Sequence, residues 1–120
     1  MKTSLEKRIM NFHTDSVGIV HHARYLELLE EARWQYCYTN DLMKAYDERG
    51  LIHVIVNINI DYKDSARAGD QVAITTEIMK TSAKTVVFKQ CVWRGEDLLI
   101  SAAITNVYLS AKDHSVIRTT

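Results

Sequence analysis

His13-Thr14-Asp15-Ser16-Val17-Gly18-Ile19-Val20-His21-His22-Ala23-Arg24-Tyr25-Leu26-Glu27-Leu28-Leu29-Glu30-Glu31-Ala32-Arg33-Trp34-Gln35-Tyr36 contains the change of rhythm that decides the architecture. As far as His21 it reads as a polar, glycine-bearing turn. From His22 the period becomes helical: Tyr25, Leu28, Leu29, Ala32 and Tyr36 form one apolar stripe, with Glu27, Glu31 and Gln35 on the other side. Glu30 and Arg33 are spaced to attract each other, a contribution of roughly a few tenths of a kcal/mol. Trp34 and Tyr38 lie outside the stripe, which predicts cover either by loops or by a second subunit.

Working outward, about Ser4 to Phe12 is predicted as a first strand. The helix runs or restarts through Leu42, Met43 and Ala45 until Gly50 stops it. Alternation follows: Ile52, Val54, Val56, Ile58, Ile60 and Tyr62 are expected on one face, with His53, Ile55, Asn57, Asn59 and Asp61 on the other. After the loop Lys63 to Asp70, Val72-Ile74-Thr76-Ile78, Val86-Phe88-Gln90-Val92 and Leu98-Ile100-Ala102-Ile104-Asn106-Tyr108 mark three more strands. Lys112 to Thr120 is expected as a frayed end or short edge strand. Four strands on short connections imply an antiparallel sheet, and the one long amphipathic helix is the element able to cover its face. The order predicts an α+β fold: a curved five-stranded antiparallel sheet around one long helix, as a single domain over residues 1–120.

Composition agrees with a globular chain of one domain, 47% hydrophobic and 25% charged. Fifteen basic residues balance fifteen acidic ones, so nothing advertises nucleic acid or an anionic membrane as a partner. No apolar run spans a bilayer, and Met1 to Arg8 lacks the apolar centre of a signal peptide. Cys37 and Cys91 show no metal-ligand spacing and read as reduced thiols of a cytoplasmic protein.

The chemistry lies in the turn. Asp15 stands just ahead of a helix N-terminus, whose first backbone N–H groups lack internal partners and carry partial positive charge. Such groups polarise a carbonyl and stabilise its oxyanion, while a nearby carboxylate attacks the carbon or activates water. An aspartate here is also an ordinary cap or turn residue, and spacing alone does not separate the two roles.

Asp15 to Tyr25 resembles the signature of hot-dog-fold enzymes of the 4-hydroxybenzoyl-CoA thioesterase type: Asp, two variable residues, Gly, apolar residues, then His, Tyr or Asn opening the helix. Ala23 to Trp34 and Val54 to Tyr62 are similar to the long-chain acyl-CoA thioesterase (thioesterase III) branch, and Ala66-Arg67-Ala68-Gly69-Asp70 matches the family's entry to the third strand. The resemblance implies a thioester hydrolase acting on acyl-CoA, assembled as a homodimer or homotetramer with sites at the dimer interface. It implies neither metal nor cofactor, coenzyme A being part of the substrate. By position, Asp15 matches the catalytic aspartate, His22 the residue whose N–H polarises the carbonyl, and Gly18 the glycine that lets the loop approach the substrate. His21, Tyr25 and Asn57 are expected around the substrate, and Arg67 and Lys84 at the coenzyme A phosphates. Ser65 stands where the family commonly has proline, and His21-His22 where the long-chain branch usually has Asn-Asn.

Other readings compete. An acyl-carrier-protein thioesterase would want a basic patch, and a non-catalytic acyl-CoA-binding module would need no Asp15. A Ser-His-Asp triad from Ser16, His21 or His22 and Asp15 lacks both a nucleophile elbow and a suitable separation. Zinc on His13, His21 and His22 lacks a recognised ligand spacing.

Overall fold

The computed structural model of the chain describes residues 2–118. The elements are β1 (Lys2–Arg8), a short 3-10 turn (Asn11–His13), α1 (His22–Thr39), α2 (Leu42–Arg49), β2 (Leu51–Tyr62), β3 (Gln71–Thr81), β4 (Thr85–Arg94), β5 (Asp97–Ser110) and β6 (Val116–Ile117). The strands form one antiparallel sheet in the order β1-β3-β4-β5-β2, and β6 pairs with the end of β5. This is the hot-dog arrangement, with β6 added to the five strands expected.

The core lies between α1 and the inner face of the sheet. Tyr25, Leu28, Leu29, Ala32 and Tyr36 are buried as the helical stripe predicts, against Val72, Ile74, Phe88, Val92, Ile100 and Ile104. Within this apolar layer sits a polar knot. Gln90 Nε2 donates to Leu29 O (2.9 Å) and to Thr76 Oγ1 (3.0 Å), and Gln90 Oε1 accepts from Arg33 (2.9 Å). Arg33 is therefore turned into the core and forms no ion pair with Glu30, contrary to the expectation from their spacing. Lys7 and Glu31 (2.9 Å) tie β1 to the outer side of α1.

Two boundaries differ from the sequence reading. The first strand ends at Arg8, because Ile9 turns inward and the chain enters the 3-10 turn at Asn11–His13. The helix restarts rather than running on: Asn40 caps α1, and Asp41 takes a left-handed conformation (φ 57°) that an α-helix cannot continue through.

The largest correction concerns β2. Ile55 pairs with Asn106 but Asn57 pairs with Thr105, so Val56 is an extra residue, a β-bulge. The bulge shifts the alternation by one position. Leu51, His53 and Ile55 share the inner face with Ile58, Ile60 and Tyr62, while Ile52 and Val54 face outward with Asn59 and Asp61.

Candidate active site

The segment between the 3-10 turn and α1 is held from three directions. Asp15 N–H donates to Ile19 O (2.9 Å), Gly18 N–H to Asp15 O (3.1 Å) and His21 N–H to His13 O (3.3 Å). Val20 N–H reaches the loop before β3, donating to Ala66 O (2.9 Å), and Ile19 bridges to Arg67. Gly18 sits at φ +82°, a backbone region that side chains resist, so glycine closes the turn there. A Cβ at Gly18 would meet nothing within 4 Å, which makes its role conformational rather than one of close approach.

Asp15 is exposed at the tip. One carboxylate oxygen accepts from Val17 N–H (2.9 Å), and the other has no hydrogen-bond partner among the described residues. At the helix start, His21 Nδ1 caps Ala23 N–H (3.2 Å), and Arg24 N–H turns back to His21 O (2.9 Å). His22 N–H meets no acceptor among the described residues. No acidic residue occupies the first turn of α1, so the positive end of the helix is not neutralised by its own sequence.

Asp15, His21, His22 and Tyr25 line one cavity of about 250 Å³, together with Tyr62, Asp64 and Ser65. The first four were expected from sequence. Tyr62, Asp64 and Ser65 were not, because only the sheet order brings the end of β2 beside the start of α1. Tyr62 O–H donates to His22 O (3.3 Å), and its ring lies 5.9 Å from that of Tyr25. Tyr25 is buried, and its hydroxyl accepts from Ala66 N–H (2.8 Å). Burial pushes that phenol's pKa up, only partly offset by the Ala66 hydrogen bond, so it stays a neutral group.

Arg94 fixes the far wall. Its guanidinium reaches Ser65 O (3.2 Å), Asp70 (3.1 Å) and Asp64 (3.3 Å). The Arg67 N–H bond, more than the Arg94 contact, holds the Asp70 carboxyl below its usual range. His13 is buried beneath the loop and accepts from Met10 N–H (2.8 Å). Burial first, then nearby Lys7 and Arg24, lowers its pKa, in keeping with a neutral structural imidazole.

Gly18, Asn57, Arg67 and Lys84 do not line the cavity. Asn57 shares the outer face of β2 with Asn59, because the bulge turns it away from α1. Lys84 follows β3, whose 11 residues carry it roughly 30 Å from the loop at Arg67. Arg67 is exposed but touches Ile19 through its backbone, so it remains beside the site.

A second space of about 250 Å³ opens farther along α1, between Arg33 and Trp34 on the helix and His53 and Ile55 on β2, with Asn106 at its floor. Trp34 stands edge-on to His53 at 5.3 Å, which supplies part of the cover expected for it, whereas Tyr38 is exposed. Between the two spaces, Leu26 on α1 and Ile58 on the inner face of β2 are both more than a third exposed. Leu26 and Ile58 thus leave apolar surface uncovered in a shallow cleft between α1 and β2.

The thioesterase superfamily model matches residues 17–101, most of the chain. The chain belongs to the thioesterase superfamily. That match begins two residues past Asp15, so the carboxylate rests on the geometry above. The chain is 34% identical over 92 residues to the long-chain acyl-CoA thioesterase FadM of Escherichia coli, covering 77% of this chain and 68% of that protein. It is 31% identical over 103 residues to the acyl-CoA thioesterase YbgC of Haemophilus influenzae, covering 84% and 76%. The structure of a 4-hydroxybenzoyl-CoA thioesterase variant with 4-hydroxybenzoyl-CoA superposes with a TM-score of 0.89 at 22% identity, covering 99% and 93%; that likeness concerns the fold. A carboxylate and a free helix N–H that border one cavity are groups able to activate water and to hold an oxyanion.

Proposed function

We propose that this chain, as one domain, is an acyl-CoA thioesterase with Asp15 as its catalytic carboxylate. The observation that carries the residue assignment is that Asp15 and the unpartnered N–H of His22 border the same cavity. The thioester carbonyl oxygen accepts from His22 N–H, where the helix end favours the developing negative charge. Asp15 either takes a proton from an attacking water or attacks the carbon and is then released by water. In both routes the C–S bond breaks, coenzyme A leaves as a thiolate and the acid is freed. A thiolate leaves readily enough that no strong general acid is needed, and no metal or cofactor takes part. Tyr62 and His21 frame the carbonyl, the α1–β2 cleft takes the acyl chain, and Arg67 is placed for a coenzyme A phosphate.

The reading includes a homodimer. β2 is an edge strand of 12 residues whose outer edge pairs with no other described strand, and Ile52 and Val56 are exposed on it. A second copy pairing there removes that open edge and brings more residues to the cleft. Cys37 and Cys91 are free, which suits a reducing cytoplasm.

The test is hydrolysis of an acyl-CoA panel, short to long plus one aromatic, followed with a thiol reagent. Asp15→Asn keeps an acceptor for Val17 N–H, so it preserves the loop while kcat falls by about two orders of magnitude or more. A folded wild type that binds the panel without hydrolysing any member would make the chain a binding module. Turnover only of acyl-carrier-protein thioesters would reassign the substrate.

A further inference from the structure

Val72, Ile74 and Thr76 on the inner face of β3 are buried, but Ile78 in the same row is 41% exposed. It pairs with buried Phe88, so it points inward and lacks cover. At this end of the sheet the cover is α2, which packs through a small cluster of its own, Cys37, Tyr46 and Leu51. A cavity of about 270 Å³ is left there, with Leu42 and Tyr46 on the helical side and Leu51, Ile78 and Val86 on the sheet. The charged groups of its lining are Arg49 and Arg118, both exposed, and no carboxylate among the described residues lines it. Neither arginine forms an ion pair among the described residues. The hydroxyls of Tyr46 and Tyr108, which also border the cavity, meet at 2.8 Å. Burial raises the pKa of both phenols, so no phenolate offsets the arginines.

Two unpaired guanidinium groups over an apolar lining select by elimination. A cation is repelled. A neutral chain fills the lining but leaves the arginines to water, and a bare inorganic anion leaves the apolar walls wet. A carboxylate carrying an apolar tail meets both needs. The space admits one such chain rather than a helix of another protein, whose diameter is about 10–12 Å. We infer that this cavity binds a free acid with an apolar tail, its carboxylate held by Arg49 and Arg118 and its tail against Leu51, Ile78 and Val86. The site is distinct from the one at Asp15, with which it shares no lining residue. β2 runs from Leu51 in one cavity to Tyr62 in the other, a span of roughly 35 Å. A free acid is also what thioester hydrolysis releases, but the inference does not depend on that reading.

The experiment is calorimetric titration of the whole chain with octanoate, octan-1-ol and octylammonium, each kept monomeric in solution. Octanoate binds about tenfold or more tighter than octan-1-ol, and octylammonium does not bind. Replacing both arginines, Arg49→Gln with Arg118→Gln, lowers octanoate affinity by about tenfold or more and leaves that of octan-1-ol in place. Ile78→Asp brings a carboxylate to the lining and abolishes octanoate binding; should that variant fail to fold, the exposed arginine pair decides alone. A photoreactive octanoate labels α2 and the end of β3. Labelling confined to residues 13–25 overturns the inference, for the acid then sits at Asp15. A folded wild type that binds no octanoate overturns it too, and so does octanoate affinity that survives loss of both arginines. None of these readouts involves turnover, so they stand whether or not the chain hydrolyses an acyl-CoA.

Discussion

Tyr25→Phe removes one oxygen atom and leaves the ring in place. Sequence placed Tyr25 against the substrate, and it does border the cavity, but its hydroxyl is occupied in accepting from Ala66 N–H at 2.8 Å. Ala66 is 0% exposed, so its N–H has no water to turn to when that acceptor goes. A buried donor left unmet costs about 1–3 kcal/mol, whereas the retained ring adds almost no packing loss. For a chain of this size, a fall in Tm of roughly 4 °C accompanies each kcal/mol. Activity drops as well, because the Ala66 carbonyl is what Val20 N–H holds, and Val20 closes the Asp15 loop. A loosened loop lowers kcat by about tenfold with little change in KM. Urea unfolding at fixed protein concentration, paired with steady-state kinetics, reads both effects. An unchanged midpoint with an unchanged m-value would refute the reasoning, since Ala66 N–H would then have found another partner.

Three other predictions are independent of that bond. His21→Ala removes the cap on Ala23 N–H and should destabilise the protein by about 1 kcal/mol in chemical unfolding, whereas His21→Asn should recover most of it. Asp70→Asn tests pH linkage. The folded-state pKa of Asp70 is depressed, so its contribution is present above the ordinary carboxylate pKa and lost as pH falls through the lowered value. The stability gap between wild type and variant should therefore be open at pH 7 and close in acid; a gap that widens on acidification contradicts the assignment. Val56→Lys charges the free edge of β2 and should convert dimer to monomer in sedimentation at micromolar concentration, without unfolding the sheet.

The helix stripe and the strand order were legible because each follows from a local period that burial enforces. The four cavity residues from the Asp15 turn and the head of α1 were legible because they are near neighbours in the chain. Tyr62, Asp64 and Ser65 joined the site through sheet order, which no local pattern encodes. Arg33 was misread because helical spacing says which side chains can meet and not which partner wins. Here Gln90, fifty-seven residues away, competes successfully with Glu30. Lys84 was a fair candidate by charge alone, and the length of β3 removes it. The faces of β2 were misassigned beyond Ile55, since strict alternation carries no mark where one extra residue has been let in.

That extra residue makes position 56 a place where β2 can shorten without exchanging its faces. Deleting it would restore unbroken pleating and still leave Ile58, Ile60 and Tyr62 toward α1, because Asn57 already pairs with Thr105 and Ile58 with Ile104. Tyr62 would stay beside His22, and only the local bend of the strand would be lost. A single-codon deletion at Asn59 would instead turn Asp61 toward α1 and send Ile60 and Tyr62 outward, dismantling the active site while touching none of its chemical groups.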